Sequence, residues 1–156
     1  VCGNGGSAAE AQHFAAELAG RFARERAAWP ALALTTDTSA LTAIGNDYGF
    51  DRVFARQVEG LGQEGDVLLG ISTSGESPNV VEAFRAARAR RVTVVAMTGR
   101  DGGRMGPLAD IHVNVAHPVT ARVQEVQLTL LHAICELVED ALAGEAVAGH
   151  PAADRR

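Results

Sequence analysis

His13 and Glu17 stand four residues apart, so a helix would carry both on one face. Gln124 and His132 stand eight apart, near one face of a second helix. If the two helices meet, two imidazoles, a carboxylate and an amide converge on one point. That mixed nitrogen and oxygen set suits a divalent metal such as zinc. Each residue also has a plainer account: Glu17 as a solvated helix residue, His13 as a capped surface histidine, His132 as a satisfied core histidine. Spacing alone leaves both readings open.

A second group is Ser72-Thr73-Ser74-Gly75-Glu76-Ser77. Hydroxyls donate, a glycine permits close approach, and the unpaired N–H groups of the following helix favour an anion, so the loop reads as a phosphate cradle that needs no lysine. The alternative is a turn that only caps its helix. A third group, Gly3-Asn4-Gly5-Gly6-Ser7, satisfies G-x-G-x-x-A through Ala8. A dinucleotide site would want an acidic residue roughly 20 residues further on, and Asp37 lies beyond that. A tight turn, or a loop lending N–H groups to a sugar or phosphate, fits as well. Asn46-Asp47 and Asp101-Gly102-Gly103 have the composition of ordinary turns.

Bringing these loops together takes a frame that ends them all on one side, and the hydrophobic pattern predicts one. Val1-Cys2 reads as the end of a strand in which the chain starts. Ser7 is placed to cap a helix over 7–26, with Phe14, Leu18 and Phe22 spaced by four. Pro30 introduces a short apolar strand at 31–34. Helical segments over 39–44 and 50–61 flank a turn at Gly45-Asn46-Asp47. A continuous apolar strand at 66–71 leads through the hydroxyl loop to a helix over 79–90, with Ser77 at its cap and Pro78 in its first turn. Strands at 92–97 and 111–115 and a long helix over 119–143 complete the pattern. Strands apolar on both faces, alternating with helices, predict an α/β fold: a three-layer, doubly wound parallel sheet flanked by helices. One domain over 1–143 and a loose tail over 144–156 account for the chain. In such a fold the ligand sits beyond the carboxyl ends of the strands, which is where these loops fall.

Composition narrows the chemistry. A chain of 156 residues, 47% hydrophobic and 21% charged, suits one globular domain. No apolar run is long enough to span a membrane and no signal peptide is visible, which predicts a cytoplasmic protein. A net charge of −5 argues against a nucleic-acid partner. All the basic residues are arginine, which excludes a Schiff-base lysine and a lysine-bearing phosphate loop. Cys2 and Cys135 fit neither a disulfide framework nor a C-x-x-C site and read as small buried hydrophobes.

Taken in order, Gly3-Asn4-Gly5-Gly6-Ser7, His13-Phe14-Ala15-Ala16-Glu17-Leu18, Gly45-Asn46-Asp47-Tyr48-Gly49-Phe50, the segment from Gly65 to Gly75, Thr98-Gly99-Arg100-Asp101-Gly102-Gly103 and Arg122-Val123-Gln124-Glu125 resemble the bacterial phosphoheptose isomerases of the sugar-isomerase (SIS) superfamily, which has a flavodoxin-like fold. The resemblance implies conversion of sedoheptulose 7-phosphate to glycero-manno-heptose 7-phosphate, an early step of bacterial heptose biosynthesis towards lipopolysaccharide, by a cytoplasmic homotetramer with one zinc per subunit. It implies His13, Glu17, Gln124 and His132 as the zinc ligands, with Glu17 the base and His132 the acid or proton relay. Ser72, Thr73, Ser74 and Ser77 would hold the phosphate, and Asn4, Gly5, Gly6, Ser7, Glu17, Asn46, Asp47 and Gln124 would meet the sugar. Two departures accompany it. The family's helical segment ahead of the first strand has no counterpart in this sequence, and Gln127 stands where many members carry histidine. A non-catalytic branch of the same fold, associated with the replication initiator, is the rival reading; it has lost the carboxylate and the last histidine, and both are present here. An isomerase for another phosphosugar is the remaining alternative.

Overall fold

The computed structural model describes residues 1–142; the expected loose tail lies outside them. Four strands, β1 (Cys2–Gly3), β2 (Val67–Ser72), β3 (Thr93–Gly99) and β4 (Ile111–Val115), form one parallel sheet in the order β1-β2-β3-β4. Five helices surround it: α1 (Gly6–Ala19), α2 (Thr38–Tyr48), α3 (Ala55–Leu61), α4 (Pro78–Ala89) and α5 (Thr120–Leu142).

The pleat of β2 and β3 divides the core into two layers, because successive side chains point to opposite faces. Leu68, Val94 and Ala96 face a cluster containing Val53, Phe54, Val58, Val80 and Phe84, from α3, α4 and the turn before α3. Leu69, Ile71 and Met97 face Ala11, Phe14, Leu131 and Cys135 from α1 and α5. Helices therefore cover both sides of the sheet, as the apolar pattern predicts. Both cysteines are free and buried, and burial pushes each thiol up to about 11.

The expected strand at 31–34 forms only one rung. Val1 N donates to Leu32 O at 2.7 Å and Leu34 N donates to Val1 O at 2.9 Å, the parallel pattern with Val1 opposite Ala33. The rung still shows the winding: from β1 the chain passes through α1 to one side, then through α2 and α3 to β2 on the other. Strand order reverses at β1, and the Gly-rich and hydroxyl loops leave the carboxyl ends of the adjacent β1 and β2.

Besides the helix expected over 50–61, which is a 3-10 turn at Phe50–Arg52 followed by α3, three boundaries differ from expectation. The first helix is capped by Gly5, not Ser7, and ends at Gly20, not near Arg26. Beyond Gly20, the N–H groups of Phe22, Ala23 and Arg24 donate to the Glu139 carboxylate at 2.9, 3.0 and 2.9 Å, and Arg26 Nε donates to it at 2.9 Å. Arg26 also donates to Leu18 O and Glu17 O at 2.9 and 2.8 Å, capping the orphan carbonyls of α1. A buried acid over a hundred residues away thus outcompetes helix continuation. Second, Gly45-Asn46-Asp47 lies inside α2 rather than in a turn; the break comes at Gly49, whose φ is 86°. Third, Ser77 occupies the N-cap of α4 without a side-chain bond to the helix, its hydroxyl instead meeting Ser72 Oγ at 2.9 Å.

Candidate active site

α1 and α5 start at the same end of the sheet and run alongside one another. Near their starts, the Gln124 amide lies against Gly6, where a Cβ would approach its nitrogen to 2.1 Å. Seven and eight residues further on, His13 and His132 face each other with their Nε2 atoms 3.3 Å apart. Glu17 Oε1 lies 2.9 Å from His13 Nε2. The three ligand atoms all fall within 4.8 Å of one another. Donors held about 2.0–2.1 Å from a tetrahedral zinc are separated by about 3.3–3.4 Å, the edge that the two imidazoles already span. These residues fit a metal. Phe22 stacks obliquely beside His132, ring centres 5.5 Å apart, giving the imidazole an apolar wall.

The Gly-rich loop bends at Gly5, whose φ is 56°. It sends the Asn4 side chain to Asn79 in a reciprocal amide pair, 2.8 Å in each direction. Asn79 is buried at the first turn of α4, so this pair ties the Gly-rich loop to the helix that follows the hydroxyl loop. Within that loop Ser72 Oγ lies 3.3 Å from Ser74 Oγ and 2.9 Å from Ser77 Oγ, and Ser74 Oγ accepts from Glu76 N at 3.2 Å. Thr73 is half-buried beside them. The serine hydroxyls face one another at the start of α4, whose positive dipole end favours an anion. Ser7 is buried in the first turn of α1, its N–H donating to Asn4 O at 3.1 Å.

Asn46 and Asp47 are exposed on the last turn of α2, and their one side-chain hydrogen bond among the described residues is to each other, at 2.8 Å. Two buried polar side chains flank the cluster. Glu10, one turn before His13, is pushed up to about 7 by burial, and one of its oxygens is unpartnered. Gln127 is fully buried with neither amide atom bonded. Sequence reasoning missed Asn79, Arg26 and Glu139; their partners lie 75 and 113 residues distant, and no local pattern announces them.

Comparison with known proteins places the chain in a family. Residues 1–99 match the SIS domain family. The chain is 60% identical over 145 residues to the phosphoheptose isomerase of Neisseria gonorrhoeae, covering 91% of this chain and 74% of that one. The chain belongs to the phosphoheptose isomerases of the SIS domain family. It is therefore an enzyme, an isomerase. The solved structure of phosphoheptose isomerase GmhA from Neisseria gonorrhoeae superposes with a TM-score of 0.82 at 59% identity, covering 89% of this chain and 74% of that one. A phosphoheptose isomerase from Francisella tularensis gives 0.86 at 41% identity, with the same coverage of 89% and 74%.

Proposed function

We propose that this isomerase converts D-sedoheptulose 7-phosphate to D-glycero-D-manno-heptose 7-phosphate through an enediolate, as the first step of bacterial heptose biosynthesis, with one zinc ion per subunit. The observation that carries the reading is the cluster of His13, Glu17 and His132, formed between two helices that also frame the Gly-rich loop. Moving a proton between C1 and C2 needs a base on the carbon side, and a carboxylate beside two imidazoles supplies it as Glu17. Exchanging protons between O1 and O2 needs a group that can both give and take a proton, the role given to His132. When bound, zinc would act as a Lewis acid that stabilises the negative charge on the substrate oxygens.

Gln124 is the fourth donor in this reading. About 12 Å of helix separates its Cα from that of His132, so amide and imidazole must reach towards each other. The hydroxyls of Ser72, Thr73, Ser74 and Ser77 take the phosphate, while Asn4, Gly5, Gly6, Ser7, Asn46 and Asp47 meet the sugar. Anchoring the remote phosphate contributes binding energy that orients the reacting carbons. While holding a metal Glu17 would be a weaker base, and the role assigned to its carboxylate is the proton transfer between C1 and C2.

The enzyme works, on this account, as a cytoplasmic homotetramer. No described helix is long and apolar enough to cross a membrane, and the exposed apolar side chains Val126 and Leu137 of α5 would suit a subunit contact. The test is to incubate the purified protein with sedoheptulose 7-phosphate and follow the aldose by NMR before and after chelation. Aldose formation that is lost on chelation and restored by zinc is expected. A folded, zinc-loaded tetramer that turns nothing over would favour the non-catalytic binding protein.

A further inference from the structure

A hydroxyl loop that takes a phosphate leaves Glu76 to be explained. This residue sits between Ser74 and Ser77 and brings a carboxylate into the segment that would receive a phosphate dianion. A like charge there opposes binding. Arg104 meets it on three sides: its backbone N–H donates to Glu76 Oε1 at 2.9 Å, its Nε to Oε2 at 2.7 Å and its Nη2 to the Glu76 backbone oxygen at 2.8 Å. Among the described residues it is the one cationic side chain bonded to the loop.

Glycines make this approach possible. Met105 N donates to Gly75 O at 3.0 Å, so the loop after β3 lies directly on the hydroxyl loop. A Cβ on Gly75 would stand 2.2 Å from Gly102 O, and one on Gly103 would stand 2.6 Å from Glu76 Oε1. Gly75, Gly102 and Gly103 have φ values of 68°, 91° and 50°, which side chains rarely adopt. The Asp101-Gly102-Gly103 turn is thus built to deliver Arg104 to Glu76. The far end of the turn is held as well, since Asn114 Nδ2 donates to Arg100 O at 3.1 Å and Asn114 Oδ1 accepts from Thr98 Oγ1 at 2.9 Å.

We propose that Arg104 is a positioning residue for phosphate binding, which acts through Glu76 by cancelling its charge inside the hydroxyl loop. This role rests on the reading of that loop as the phosphate site. The pair is solvent-exposed, so its effect is modest and screened by salt.

Calorimetric titration with inorganic phosphate tests this without requiring turnover. Arg104→Ala is expected to weaken phosphate binding roughly fivefold at low ionic strength, with the difference shrinking as salt is added. Glu76→Gln is expected to bind phosphate more tightly than the wild type, and Glu76→Gln/Arg104→Ala to return close to it. Arg104→Lys, which keeps the charge without the fork, should stay within about twofold of the wild type and serves if Arg104→Ala does not fold. In turnover the Arg104→Ala change should fall on KM rather than kcat. If Glu76→Gln weakens binding as much as Arg104→Ala does, or the double variant is no better than Arg104→Ala alone, the pair merely braces the loop and the proposal is overturned. A wild type that does not bind phosphate, or binds it unaltered by Ser72→Ala, overturns the phosphate reading itself.

Discussion

Glu10 shows how burial sets chemistry at the scale of a single residue. Its folded-state value of about 7 lies above the ordinary 4.5, so the folded protein holds a proton that the unfolded chain releases. Stability therefore falls as pH rises from about 4.5 to 7, then levels off. Glu10→Gln keeps the shape without the titration, so it should be nearly neutral at pH 4.5 and stabilising by about 2 kcal/mol above pH 7, as read by denaturant melts across pH. Melts whose difference from the wild type does not change with pH would contradict this. His13→Ala removes the imidazole shared by Glu17 and His132, and should lower bound zinc at least tenfold by metal analysis of the purified protein. Stoichiometric zinc in that variant would place the metal elsewhere.

At the scale of elements, Glu139 joins the end of α1 to α5. Desolvation pushes its carboxyl up, but three N–H donors and Arg26 outweigh that and hold it at about 2. A depressed carboxyl stabilises the fold above its ordinary range, and the contribution is lost as pH falls from about 4.5 towards 2. Glu139→Ala leaves the Arg26 guanidinium buried and unpaired, and should lower Tm by more than about 5 °C. It should also loosen the helix end that carries Glu17. A Tm within a degree of the wild type would show that the segment after α1 is held by other contacts. Gly70 makes a different kind of joint, because a Cβ there would stand 2.3 Å from the Phe84 ring. Gly70→Ala should therefore cost about 1–3 kcal/mol by denaturant melts; a neutral variant would mean that α4 can slide.

These joints also explain what the sequence did and did not disclose about the elements. β2, α4, β3, β4 and α5 were legible to within a residue or two, since each combines an unambiguous apolar period with its own start and stop signals. The end of α1 was not, because Glu139 decides it from the other end of the chain. The strand expected at 31–34 had the right composition, and among the described residues it makes one rung, with Val1. Gly45-Asn46-Asp47 looked like a turn, yet the helix runs on to Tyr48 and breaks at Gly49, whose φ of 86° suits a glycine. His13, Glu17 and His132 were legible from helical spacing as one reading, a metal set, and their meeting required the parallel run of α1 beside α5. The Asn4–Asn79 and Glu76–Arg104 pairs had no sequence signal at all.

For the molecule as a whole, the reversal of strand order at β1 is what gathers chemistry in one place. α1 leaves β1 on one face, α4 leaves β2 on the other, and the Gly-rich and hydroxyl loops meet between them. α5 returns to α1 and completes the donor cluster. The central claim is that this gathered site isomerises a phosphosugar with Glu17 as base and His132 as relay. The most direct measurement is kcat on sedoheptulose 7-phosphate for Glu17→Gln and His132→Gln, each brought to wild-type zinc content and shown to fold. General acid–base groups contribute roughly 10²–10⁴-fold, so each variant should lose at least about 100-fold in kcat. Either variant retaining most of the wild-type rate with its metal in place would contradict the account.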